Sequence, residues 1–314
     1  MIGFALVFVL AVITLSAVAA LAVALADPWL RARGPRAERR AVELAASIPV
    51  AVAVVLVTAL LVRSYAGDDH CGVHDHHAHL CIRHGGAWAQ RTWAVLVVAA
   101  GAAVVAARLA LLLGRHLHGA RSVDVLRRVG VRTGDVRLVE SPRAFCFVAG
   151  VWRPQIYASS AAWTGLADDE RTAMLTHERG HVRHHDLRWR LALELMLIVA
   201  APLVAARLVR RWCQATERLR DREAVAVVGD PEPVARALVR MCRLQRGALA
   251  PGLSFTGPAT ELSRRVDAVL AGEPGGRRTA AMMARGLLAL IVLVGGVVVG
   301  RIELVHHSLE SLLG

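Results

Sequence analysis

Thr176-His177-Glu178-Arg179-Gly180-His181 sets two histidines four residues apart with a glutamate between them. On a helix that spacing is about one turn at a rise of 1.5 Å per residue, so both imidazoles share a face. Two imidazoles so placed can hold one zinc ion, and Glu178 beside them can hold and deprotonate a water. The competing interpretation is a solvated face rich in His and Arg, since Arg179, Arg183, His184 and His185 are close by. Three features weigh against it. Asp168, Asp169 and Glu170 gather where the helix would begin, which suits its positive N-terminal end. Gly180 costs about 1 kcal/mol of helix propensity, acceptable where another backbone must approach closely. The third is Glu217-Arg218-Leu219-Arg220-Asp221, which sets two carboxylates on one face of a later helix. A catalytic zinc commonly has three protein ligands and one open position, and Glu217 can supply the third. Asp221, one turn on, can accept a hydrogen bond from a ligand histidine and fix its tautomer.

The setting of this motif is apolar. Hydrophobic residues make up 55% of the 314 positions and the mean hydropathy is +0.47, too high for an ordinary soluble domain. Residues 2 to 26 are uncharged, and about 20 apolar residues span a bilayer. The run is long and no basic residue precedes it, which favours a retained helix over a cleaved signal peptide. Residues 42 to 62 and 93 to 114 give second and third spans, and 280 to 300 a fourth, with Arg285 and Arg301 able to snorkel to the interfaces. Residues 191 to 206 form another apolar run, but a short one containing Glu194 and Pro202. A crossing there would separate His177 from Glu217, so it is expected to be a buried or re-entrant element. The expected fold is a mainly α integral membrane protein of about four spans. Residues 1 to 114 would hold three spans, 115 to 279 an α domain with a small β element, and 280 to 314 the last span and a short outer tail.

All 38 basic residues are arginines. Residues 31 to 40 hold five of them and 63 to 92 three, so the positive-inside rule puts 31 to 40 in the cytoplasm of a bacterial-type cell. The motif at 177 to 181 is then cytoplasmic as well. The formal charge of +13 suits contact with anionic lipid headgroups. No nucleic-acid motif accompanies it, so no direct nucleic-acid partner is expected. The outer loop gathers His70, Cys71, His74, His76, His77, His79, Cys81 and His84. Such density points to a second transition metal, to a Cys71–Cys81 disulfide, or to both, and the spacing selects neither zinc, copper nor nickel. Cys146, Cys213 and Cys242 are expected to be free thiols.

His177 to His181, then Asp186, then Glu217-x-x-x-Asp221, resembles the gluzincin pattern HExxH…D…ExxxD. It occurs in BlaR/MecR-type antirepressor metallopeptidases and in the related HtpX and CAAX-prenyl-protease group. Ser141 to Phe147 and Arg153 to Tyr157 read as a strand pair with Gly150 at the turn, and in the family a strand here lies along the active-site cleft. Glu261 to Val266 resembles the helix that ends the catalytic domain. The resemblance implies a zinc metalloendopeptidase with His177, His181 and Glu217 as ligands and Glu178 as the catalytic base. Asp221 and Asp186 would support the ligands, although Asp186 could equally be an ordinary helix-end carboxylate.

By resemblance the substrate is a cytoplasmic protein, with a winged-helix transcriptional repressor as the usual target, cleaved in response to an outer signal. The best-known members continue into a penicillin-binding sensor domain. Here residues 301 to 314 follow the last span, so the sensor is expected in the outer loop, the spans or a partner. A constitutive HtpX-like quality-control or processing peptidase is the alternative, and a non-proteolytic membrane metal sensor is a further one. Homo-oligomer formation is left open.

Overall fold

The computed structural model describes residues 2–66, 92–247, 259–272, 278–279, 281–283 and 285–286. The outer-loop cluster from His70 to His84, and almost all of the span expected at 280 to 300, lie outside the described residues. Among the described residues the chain opens with four helices: α1 (Ile2–Leu25), α2 (Asp27–Arg33), α3 (Pro35–Ala66) and α4 (Thr92–Val129). Phe4–Leu25, Pro35–Val62 and Val95–Val129 are long and apolar enough to cross a membrane. Leu21, Leu25, Val54, Leu96, Val104 and Leu111 are exposed on them, as side chains facing acyl chains would be. Residues 31 to 40, the arginine-rich stretch between the first two expected spans, are largely helical. They are the end of α2, a turn at Gly34 (φ 90°) and the first turns of α3. Arg, Glu and Ala are strong helix formers and Pro35 at the first position is preorganised for one, so α3 starts well before its apolar part.

α4 runs directly into a four-stranded sheet of β1 (Val131–Thr133), β2 (Val136–Val139), β3 (Cys146–Ala149) and β4 (Gln155–Ser159), in the order β1-β2-β4-β3. β3 and β4 are antiparallel from Cys146↔Ala158 to Ala149↔Gln155, with Gly150 (φ 96°) in the connection. The first strand thus starts later than expected, after a bend at Pro142 and Arg143, and the second runs from Gln155 to Ser159 where Arg153 to Tyr157 was expected. β1 and β2, and the parallel pairing of β2 with β4, were not anticipated from the pattern. One face of the sheet packs Val136, Ile156 and Ala158 against Met174 and Leu175 of the following helical layer.

That layer is α5 (Ser160–Gly165), α6 (Asp168–Arg183), α7 (Asp186–Met196), α8 (Pro202–Val228), α9 (Pro231–Gly247) and α10 (Ala259–Ala271). Residues 191 to 206 are the end of α7, a turn, and the start of α8. Pro202 sits at the start of a new helix, where its missing N–H costs nothing. Leu193, Leu197, Ala200, Ala205, Leu208 and Trp212 of this hairpin share one core with Val23, Leu30, Ala41, Val42, Ala45 and Ala46. A boundary near residue 114 therefore does not separate two cores.

The turn exposes carbonyls that no helix satisfies. Arg108, within the apolar part of α4, donates Nη2 to Leu197 O at 3.1 Å and Nη1 to Ala200 O. An arginine at that depth is costly unless it faces protein and is hydrogen-bonded, and capping the hairpin tip supplies both conditions.

Candidate metal centre

α6 begins with Asp168, Asp169 and Glu170, and the Glu170 carboxylate accepts from Ala167 N at 3.0 Å, closing the first turn. The helix then presents His177 and His181 toward α8, which presents Glu217 and Asp221. The two helices meet at Gly180. A Cβ there would lie 2.7 Å from Arg220 Cδ and 3.2 Å from Glu223 Oε2, so the close neighbour is a buried side chain of α8 and not backbone. Gly180→Ala is expected to cost about 1 kcal/mol net, overpacking of ~1–3 kcal/mol exceeding ~1 kcal/mol of helix propensity. Thermal unfolding checks this, and an Ala variant at least as stable as wild type would contradict the tight fit.

His177 Nε2 and His181 Nε2 are 3.2 Å apart, and Glu217 Oε2 and Oε1 lie 3.4 and 3.5 Å from them respectively. Tetrahedral bonds of about 2.0–2.1 Å imply ligand-to-ligand edges of about 3.3–3.4 Å. The three donors therefore fit one divalent transition metal. Among the described residues they are the group of His, Cys, Asp or Glu that meets this condition. The imidazoles are largely covered (12% and 15% exposed), whereas Glu217 is 37% exposed and marks the open side.

Each imidazole is held from behind. His177 Nδ1 donates to Asp221 Oδ1 at 2.8 Å and His181 Nδ1 to Asp186 Oδ2 at 2.8 Å. This fixes the tautomer so that both Nε2 lone pairs face the centre. Asp186 reaches His181 because the chain reverses sharply at His185, the one non-glycine with positive φ among the described residues (52°). Arg265 of α10 closes the other side. Its Nε and Nη2 donate to Asp221 at 2.8 and 2.7 Å, and Nη1 lies 3.1 Å from Glu217 Oε2. A cleft of about 260 Å³ opens on these groups, lined also by Cys146 of β3, Met174, Glu178 and Met241.

The structure thus brings together His177, His181, Glu217, Asp221 and Asp186, with Glu178 on the cleft wall. Arg265 was missed as a site residue although its segment had been singled out. The available signal was only that Glu261 and Arg265 fall one turn apart on an amphipathic helix. Cys146, Cys213 and Cys242 are free.

Electrostatics follow from this packing. Burial raises the Glu178 carboxyl, and the nearby Glu217 adds to that; His177, His181 and Arg265 pull the other way without reversing it. For Glu217 and Asp221 burial alone would raise the pKa, but Arg265 and His177 outweigh it and hold both carboxyls below their ordinary range. Burial would lower His177, yet its hydrogen bonds to Asp221 and Glu217 win and carry it from 6.5 to about 10. The metal-free protein therefore draws stability from the His177 imidazolium below about pH 6.5 and loses it as pH climbs toward 10. Metal must displace that proton, so binding near neutrality is expected to release about one proton per ion. Calorimetry in buffers of different ionisation heat measures this. Release of none would contradict the assignment of His177 as a ligand.

A family model described as BlaR1 peptidase M56 matches residues 87–231, the stretch that carries α4, the sheet, His177, Glu178, His181 and Glu217. No curated protein and no solved structure matches the chain. That match lies over the metal-binding helices and beside helices able to cross a bilayer, and it supports a membrane metallopeptidase similar to the BlaR1 peptidase M56 family.

Proposed function

We propose that the protein is a multi-pass zinc endopeptidase whose cleft opens to the cytoplasm and cuts a cytoplasmic protein. A winged-helix transcriptional repressor is the substrate class that similarity suggests. The observation that carries this reading is the convergence of three donors at 3.2–3.5 Å, each histidine held by its own carboxylate. Two imidazoles and a carboxylate with an open position are the donor set of hydrolytic zinc. The arginines at Arg31, Arg33, Arg36, Arg39 and Arg40 support the orientation, through the positive-inside rule.

His177, His181 and Glu217 would hold the zinc, which when bound supplies Lewis-acid polarisation and a lowered water pKa. Glu178, made more basic by burial, takes the proton of the attacking water and returns it to the leaving amide nitrogen. Asp221 and Asp186 keep the imidazoles in the tautomer that points Nε2 inward. Arg265 balances the charge of Glu217 and Asp221 on the cleft side. β3, the last strand in the sheet order, has one unpaired edge among the described residues and can add an extended substrate as a further strand.

The outer loop from His70 to His84 is proposed as the sensor, binding a metal and shifting the spans. Anionic lipid is proposed as the partner of the basic inner face. Cells carrying Glu178→Gln test the signalling role through the repressor level. Induction that no longer changes that level supports it, and induction that changes it as in wild type contradicts it. Unaltered regulation after deletion of residues 68–84 would favour constitutive processing.

A further inference from the structure

We propose that Arg39 of α3 is a positioning residue for the ligand His181, acting through Asp186, so that a membrane-spanning helix completes the metal centre. The proposal rests on the metal reading above. Asp186 is buried and its two oxygens are divided among three partners. Oδ2 accepts from His181 Nδ1 and from Arg220 Nε, each at 2.8 Å. Oδ1 accepts from Arg39 Nη1 at 3.0 Å and from Arg220 Nη2 at the longer distance of 3.3 Å. Without Arg39 the second oxygen would keep only that longer bond, and the carboxylate could rotate away from the imidazole it orients.

Arg39 is itself tightly placed. Its Nε donates to Glu43 Oε1 at 2.9 Å, its guanidinium lies 4.7 Å from the centre of the Trp212 ring, and Trp212 Nε1 donates to the same Glu43 oxygen at 3.2 Å. The geometry therefore runs from a helix backbone, through a guanidinium fixed on three sides, to a carboxylate and then to a metal-facing imidazole. One residue earlier, Glu38 meets Arg218 at 2.7 Å, and Arg218 adjoins Glu217. α3 thus grips both metal-bearing regions from one side. Arg39 lies 147 residues from Asp186 and outside the family-matched stretch.

The test uses the full chain in detergent with Zn²⁺ in competition against a chelator, together with the visible spectrum of the Co²⁺-substituted protein. Arg39→Gln is expected to weaken zinc about tenfold and to alter the cobalt bands, as loss of a group behind a ligand does. Arg39→Lys should recover part of the affinity. Arg211→Gln is the structural control, because Arg211 ties α8 to Asp27 and Val23 at the same interface without touching Asp186. It should lower the melting temperature and leave zinc affinity and cobalt bands unchanged. The proposal is overturned if Arg39→Gln binds zinc within about twofold of wild type with the same cobalt spectrum. It is also overturned if Arg211→Gln weakens zinc as much. Should the glutamine variant not fold, Arg39→Lys is judged by the same two readouts. Wild type that binds zinc and loses it in His181→Ala, beside an unaffected Arg39→Gln, removes this proposal alone. Wild type that binds none removes the metal reading with it.

Discussion

Glu178→Gln is expected to lower kcat by about 10²–10⁴-fold while leaving metal content and melting temperature unchanged. The substitution keeps the size of the side chain and removes only its ability to accept a proton. Glu178 is not among the groups that meet at 3.2–3.5 Å, so the metal donors have no reason to move. Its carboxyl is raised by burial, which brings its basicity closer to neutrality, where a general base works best. The variant should also keep its affinity for substrate, so that the loss falls on kcat and not on KM. Steady-state kinetics on a cleavable protein substrate, beside metal analysis, separate these outcomes. Full activity in Glu178→Gln would remove the assigned base, and loss of metal in the variant would make Glu178 a ligand instead.

Glu217→Ala is expected to weaken zinc by at least about 100-fold. Structural zinc is bound by roughly 10–16 kcal/mol, so one of four ligands accounts for roughly 3 kcal/mol. The change has a second consequence here. Arg265 has two carboxylate neighbours, Glu217 at 3.1 Å and Asp221 at 2.7 Å. Removing Glu217 leaves a largely covered arginine facing the cleft with one partner and no metal ligand to balance, which adds electrostatic repulsion toward any cation. The metal-free variant should nonetheless fold, because Glu217 is the most exposed of the three donors. Chelator competition reads the affinity and circular dichroism the fold. Unchanged affinity would show that the third ligand lies elsewhere.

Much of this centre was legible in the sequence because its parts are local. His177 and His181 share one helix face through a four-residue spacing, as do Glu217 and Asp221, and helix periodicity alone pairs them. Residues 191 to 206 could be set apart from the long apolar runs for a related reason, since a run this short that contains Glu194 and Pro202 makes a poor bilayer crossing. β1 and β2 were not legible. They have three and four residues, alternate arginine with β-branched or aliphatic residues, and β2 is fixed by parallel pairing with a strand some twenty residues away. The arginines were only partly legible. With 38 of them spread along the chain, composition gives a net charge that suits headgroup contact but does not say which arginines turn inward. Yet Arg220 is 2% exposed and bound to Asp186, and Arg39, Arg211 and Arg265 are also taken up by internal carboxylates. Composition gives charge, but only tertiary packing assigns its partners. Nothing in the spacing ties Arg39 to Asp186 or Arg265 to Asp221.

X-ray absorption at the zinc edge tests the central claim most directly, on protein lacking residues 68–84 so that the outer histidines cannot contribute. The account predicts one zinc per chain, with nitrogen and oxygen neighbours at about 2.0–2.1 Å, a two-imidazole signature and no sulfur. That signal should vanish in His177→Ala. A shell containing sulfur, or zinc retained unchanged when His177 is replaced, would contradict it.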